Sequence, residues 1–285
     1  MVSALSSTPR AHLLDVTVGG GGHASGLLSS LASARLLGLD RDSDAIAAAR
    51  VALGPYGTRA VVAKSRFSDA AAALALAGFP PRVDALLCDA GISSHQIDTA
   101  TRGFSYRAVM DGPLDMRMEG GCGGGVSAAD IIARAPEAAL ARVLADYGEE
   151  PAAGIIARAI VSAREREPIV RTHQLAEIVE RVTRSRRRGP DAAAKTFQAL
   201  RIAVNDELGE LAALMRNAEK LVALGGALAV ITFHSLEARL IKKSFAQLVE
   251  TGNWVSRPIV TPTGDEVLEN PRARSAQLRV VDRVR

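Results

Sequence analysis

Four short apolar runs each carry, at or near their end, a side chain able to handle protons or cations. Asp15 falls within "HLLDVTV", Asp40 closes "ARLLGLD", Asp89 falls within "VDALLCDA", and His234 follows "GALAVITF". Between the first two lies "VGGGGHAS", in which Gly19, Gly21 and Ala24 fit G-x-G-x-x-A. Glycines after a strand let a ligand approach the backbone, and an acid at the end of the next strand, here Asp40, accepts hydrogen bonds from ribose hydroxyls. A simple chain reversal would use the same glycines.

The spacing alone admits two cofactors. A dinucleotide would set its pyrophosphate at the helix start, while S-adenosylmethionine presents a cationic amino-acid end. Asp15, just before the loop, would repel the first and help to neutralise the second. A nicotinamide-dependent dehydrogenase therefore rests on the glycine spacing only.

"CDAGISSHQID" continues from the next run. Asp89 could accept a hydrogen bond from an exocyclic amine or cap a turn, and Ser93, Ser94 and Gln96 add polar groups that serve equally in turn chemistry. "RGFSYRAVMDGPLDMRM", residues 102–118, has no period of 2 or 3.6 and reads as a surface loop or an active-site cover. His234 and Ser235 leave their strand at the same edge, without the Cys or acid pattern of a metal site. Arg272 and Arg274 in "NPRARS" could hold phosphate or lie solvated before an edge strand, "AQLRVVDR".

These side chains need a scaffold, and the pattern supplies one. Apolar runs at 12–18, 34–40, 83–90 and 226–233 alternate with Ala-rich helical stretches at 23–33, 42–53 and 68–78, which predicts βαβ units and a doubly wound α/β sheet. The alternation stops after residue 90 and resumes near 220. Residues 120–190 read as helical: "PEAALARVLADYG" opens with Pro136 and closes at Gly148, and Thr172 is placed to cap "THQLAEIVERVT". "TFQALRIAVNDELGELAALM" reads as one amphipathic helix whose apolar positions are core. The expected division is a first sheet segment 1–118, a helical insertion 119–190 entered through "EGGCGGG", and a second sheet segment 191–285.

The chain has 285 residues and a net charge of only +4, but "RSRRRG" gathers Arg184, Arg186, Arg187 and Arg188, suggesting a local anionic partner. Two cysteines give neither a disulfide framework nor a zinc spacing, which suits a reducing compartment. No uncharged apolar stretch approaches membrane-spanning length. "MVSALSSTPRAH" is compatible with an organelle presequence and is otherwise uninformative.

Taken in order, "DVTVGGGGH", "LDRD", "RFSDA", "CDAGISSHQID", "RGFS", "DGPLDMRM", "TFQALRI", "NDEL", "FHSLE" and "NPRARSAQLR" resemble the RsmH (MraW) family of small-subunit ribosomal RNA cytosine N4-methyltransferases. The resemblance runs from about residue 12 onward, and "DGPLDMRM" with "NPRARS" carries most of its specificity. It implies a class I, Rossmann-like methyltransferase with an inserted helical domain, acting on the small ribosomal subunit in a bacterial cytoplasm or a mitochondrial matrix. A homodimer is compatible with it, and a membrane partner is not expected. By motif, cofactor contacts fall on Gly21, Gly22, His23, Asp40, Phe67, Asp89 and Gln96. The acceptor region for the N4 hydrogens is expected at Asp89 or Ser93 and Ser94, with Asp115 and His234 next, and Phe104 or Tyr106 could stack the base. RNA phosphates are expected at Arg184, Arg186, Arg187 and Arg188 or at Arg272 and Arg274. Val18 and Gly20 depart from the family's usual Phe and its Arg or Ser, and only a short tail stands where the family has a segment before the first strand. A non-catalytic assembly factor retaining the fold is thus the competing reading.

Overall fold

The structure, a computed structural model, describes residues 2–6, 11–120, 124–183 and 193–285. It comprises two compact units, residues 1–91 with 208–285, and residues 92–207.

The first unit contains the sheet. Its strands are β1 (His12–Asp15), β2 (Arg35–Asp40), β3 (Ala60–Lys64), β4 (Val83–Asp89), β5 (Val222–Thr232), β6 (Trp254–Ser256) and β7 (Gln277–Arg283), in the order β3-β2-β1-β4-β5-β7-β6. All neighbouring pairs are parallel up to β5, and β7 runs antiparallel between β5 and β6. This is the expected Rossmann-like methyltransferase sheet. β3, "AVVAK", has no individual signal in the sequence reading: five residues, none fully buried, follow a helix and a 3-10 turn directly. "QLRVVDR" is not an edge strand. Pairing on both sides buries Leu278, Val280 and Val281, and the exposed edge falls to three-residue β6.

Strand side chains alternate between two cores, as period-2 geometry requires. Leu13, Leu36, Ala85 and Leu87 face α2 (Gly22–Ser30) and α3 (Ser43–Leu53), joined by Leu5 of the short α1 (Val2–Ser6). Leu14, Leu37, Leu86 and Cys88 face α4 (Ala70–Leu76), α11 (Glu207–Leu221) and α12 (Ser235–Glu250).

The second unit is helical: α5 (Ser94–Asp98), α6 (Ala128–Arg134), α7 (Glu137–Gly148), α8 (Ala153–Arg164), α9 (Thr172–Thr183) and α10 (Ala194–Asn205). Leu140, Leu144, Ile156, Ile160, Leu175, Val179, Phe197 and Leu200 form its core. The expected boundaries at 118/119 and 190/191 both lie inside this unit. Phe104, Leu114, Met116 and Met118 of the irregular segment pack into the same core, as does α10, so the unit starts and ends well outside the insertion read from helical periodicity.

The single helix expected over 196–215 is two. α10 stops at Asp206, which takes a left-handed backbone (φ 49°), and α11 (Glu207–Leu221) starts immediately after it. Apolar spacing continues across the break, so periodicity could not reveal it. The chain then passes through β5 to α12 (Ser235–Glu250), and α13 (Gly264–Glu269) precedes the last strand.

Candidate active site

Parallel pairing sets Asp15 opposite Leu87, so β1 and β4 end side by side and Asp89 lies two residues further along β4. Thr17 ties the two ends together. Its N–H donates to Asp15 Oδ1 at 3.0 Å, and its Oγ1 accepts the Asp89 backbone N–H at 2.6 Å. Asp15 is 1% exposed, and its Oδ2 has no hydrogen-bond partner among the described residues. Burial pushes its pKa up to about 7; the Thr17 N–H and His23 oppose that rise, while Asp89 and Asp40 add to it.

The glycine loop is a turn held by an acid. Asp40 Oδ2 accepts the Gly19 N–H at 3.0 Å and Oδ1 accepts the Asp42 N–H at 2.9 Å. Burial raises the Asp40 pKa against those two donors. Gly21 closes the loop at φ 86°, a conformation that glycine adopts without steric cost, and caps α2. His23 therefore rides on the first turn of α2, with Nε2 3.4 Å from Asp89 Oδ2. The Asp89 contact raises the imidazole pKa over the opposing effect of burial. Asp89 Oδ1, like Asp15 Oδ2, is buried without a partner among the described residues. No Lys or Arg pairs with Asp15, Asp40 or Asp89 there; His23 is the one basic side chain at ion-pair distance.

Two further expected residues of this unit have local duties. Phe67 sits half-buried on a 3-10 turn, Phe67–Asp69, packed on the core. The next residue, Ser68, donates its N–H to Glu210 at 3.1 Å. His234 caps α12: its Nδ1 accepts the Glu237 N–H, and Glu237 accepts the N–H groups of Phe233 and His234. Arg272 and Arg274 lie exposed on the turn Pro271–Ser275.

In the second unit, Ser93 and Gln96 form a capping box at α5, each side chain accepting the other's backbone N–H, and Ser94 opens that helix. Asp115 is fastened to Arg117, whose Nε lies 2.9 Å from Oδ1 and Nη2 2.6 Å from Oδ2. Burial works against ionisation, but the Arg117 hydrogen bonds prevail and lower the Asp115 pKa. Tyr106 stacks edge-on against Phe197, and Phe104 is buried. Arg184, Arg186, Arg187 and Arg188 lie outside the described residues. Thr17 was missed by the sequence reading, although D-x-T after a strand is the signal of a side chain accepting the N–H two residues on.

The sheet order, the glycine loop and the strand-end acids define a Rossmann-like methyltransferase. Residues 1–284 match the MraW methylase family. The chain is 41% identical over 305 residues to "Ribosomal RNA small subunit methyltransferase H" of Heliobacterium modesticaldum, covering 100% of this chain and 96% of the relative. The protein of that name from Methylobacterium sp. (strain 4-46) is 44% identical over 292 residues, covering 95% and 84%. The chain belongs to the MraW methylase family.

Proposed function

We propose that the protein transfers methyl from S-adenosylmethionine to N4 of a cytidine in small-subunit ribosomal RNA, in the cytoplasm. The observation that carries this reading is the trio Asp15, Asp40 and Asp89 around the glycine loop, with two buried carboxylate oxygens lacking a partner among the described residues. Acids without a guanidinium or ammonium beside them suit a ligand that is itself cationic, and they disfavour a pyrophosphate. The relatives' names supply the substrate class.

The residues present fit the cofactor. Asp40 Oδ2 accepts the Gly19 N–H and Oδ1 the Asp42 N–H, and a carboxylate with several acceptor directions is suited to take a ribose hydroxyl as well. Asp15 offers its free oxygen to a cationic end, and Gly21, Gly22 and His23 line the loop. Phe67 presents a half-exposed ring from the turn after β3. When bound, S-adenosylmethionine supplies an electrophilic methyl group on sulfur. The chain must then hold an amine whose lone pair is delocalised into the cytosine ring, so alignment is the main catalytic requirement. Asp89 is the group in this unit placed to accept an N4 hydrogen and orient the amine.

Arg272 and Arg274 on their exposed turn, and the basic run Arg184–Arg188, are proposed contacts for RNA phosphate. The assembly-factor reading gains nothing from Val18 or Gly20. Val18 is buried with its N–H on the Leu39 carbonyl, and a Cβ at Gly20 would meet nothing within 4 Å. The test is methyl transfer from labelled S-adenosylmethionine to unmodified small subunits, with nucleoside analysis. Asp89→Asn should lower turnover by about a hundredfold at saturating cofactor, because the amide offers a donor where the carboxylate accepts. Near wild-type turnover would leave Asp89 only a cofactor-seating role.

A further inference from the structure

We infer that His23, held by Asp89, is the catalytic residue that takes the proton from N4 as the methyl group is transferred. The inference rests on the methyl-transfer reading above and assigns a step which that reading leaves open. Nε2 of His23 lies 3.4 Å from Asp89 Oδ2, whereas Nδ1 has no partner among the described residues and the side chain is 38% exposed. A carboxylate beside Nε2 favours the tautomer with the proton on Nε2, which leaves the Nδ1 lone pair free to accept a proton. The same contact makes the ring a stronger base.

The other acceptors are worse placed to receive a proton. Asp115 is saturated by Arg117, and Nδ1 of His234 is spent on the cap of α12. Ser93 accepts the Gln96 N–H, and a neutral hydroxyl is a weak base. Asp89 itself can orient an amine hydrogen, but the base that leaves with the proton is better supplied by a ring whose positive charge Asp89 then stabilises. Among the described residues, the charged groups facing His23 are Asp89 from β4 and Asp15 from β1, and both favour the imidazolium, whereas the positive charge of the chain's amino terminus opposes it. The step balances. The N4 lone pair forms the new N–C bond as the S–C bond breaks, its electron pair stays on the now neutral sulfur, and one N4 proton passes to Nδ1 and then to water.

The test uses the full chain, unmodified small subunits and saturating labelled S-adenosylmethionine under single-turnover conditions. Wild type should lose rate as pH falls through the raised His23 pKa, because the base must be neutral. His23→Gln, assayed at S-adenosylmethionine concentrations that calorimetry shows to saturate the variant, should lose about a hundredfold in single-turnover rate and lose the acidic limb. Independently of activity, the His23 ring resonances of the cofactor-free protein, assigned by their loss in His23→Gln, should titrate above the ordinary histidine value and shift down in Asp89→Asn. A His23→Gln rate within threefold of wild type overturns the inference, as does a His23 titration unchanged by Asp89→Asn. If wild type transfers no methyl to the subunits, the functional reading falls instead, whereas the imidazole titration still reports on the His23–Asp89 pair.

Discussion

Acids are used in opposite ways in the two units. At the strand ends, Asp15, Asp40 and Asp89 have no Arg or Lys partner among the described residues, two of the three leave an oxygen unsatisfied there, and burial raises the pKa of Asp15 and Asp40. In the helical unit, Asp111 accepts from Arg171 Nε at 2.6 Å, from Thr172 Oγ1 at 3.1 Å and from the His173 N–H at 3.1 Å. Its pKa lies well below the carboxylate range, since the His173 side chain, with Nδ1 2.9 Å from Oδ1, and these donors outweigh the effect of burial. Asp115 is likewise held by Arg117. A buried acid without a donor costs stability, and a fold retains such a cost where a ligand can relieve it. A saturated acid is a fastener. "DGPLDMRM", the most distinctive stretch of the sequence, therefore owes its two acids to construction: they clamp an irregular strap onto α9 and onto itself.

The largest expected effect breaks that strap. Gly112 follows Asp111, and a Cβ there would lie 1.8 Å from the Ala100 carbonyl oxygen, with Thr172 also receiving the Gly112 N–H at 3.1 Å. Gly112→Ala should destabilise the protein by about 3–5 kcal/mol or prevent folding, since backbone cannot retreat as a side-chain tip can. Thermal denaturation of that variant near the wild-type midpoint would show the strap to be loose.

The next effect sharpens the contrast in pH. Asp15 has its folded pKa raised from 3.8 to about 7, so the folded state binds the proton more tightly than the unfolded chain. Its penalty is absent below pH 3.8, grows up to pH 7, and is constant above. Asp15→Asn should therefore stabilise the cofactor-free protein by about 2–4 kcal/mol at pH 8 and by little at pH 4. Asp111, with a depressed pKa, has the opposite sign: its contribution is present above the unfolded pKa and lost only as pH falls through the folded one. Denaturant melts of Asp15→Asn and Asp111→Asn at pH 4 and pH 8 would expose a failure of either sign.

Asp40 comes third. Asp40→Ala removes the acceptor of the Gly19 N–H and the proposed ribose contact together, and should weaken S-adenosylmethionine binding tenfold to a hundredfold, about 1.5–3 kcal/mol. Calorimetry giving unchanged affinity in a folded variant would remove Asp40 from the site.

The sheet was legible because parallel strands buried on both faces write near-continuous apolar runs that end where chemistry sits. Asp15, Asp40 and Asp89 were readable for that reason. The limits of the helical unit were not, because Phe104, Leu114, Met116 and Met118 reach its core from an aperiodic strap, and because Asp206 breaks a helix without breaking its apolar spacing. The His23–Asp89 contact joins residues 66 positions apart through the pairing of β1 with β4, which no local pattern encodes.

The smallest effect is expected at Gly20, and it isolates what the loop itself requires. Gly21 has φ 86°, and a Cβ there would press to 3.3 Å on Ala52 and Leu53, whereas Gly20 has no positive φ and open space around it. Gly20→Ser should thus change stability by less than about 0.5 kcal/mol, the range of surface substitutions. Gly21→Ser should cost clearly more, because it adds left-handed strain to a close contact. If both variants bind S-adenosylmethionine as wild type does, the loop is only a turn, and the acids alone define the ligand. If Gly20→Ser is neutral and Gly21→Ser loses affinity, the demanding glycine is the one that starts α2 and thereby aims His23.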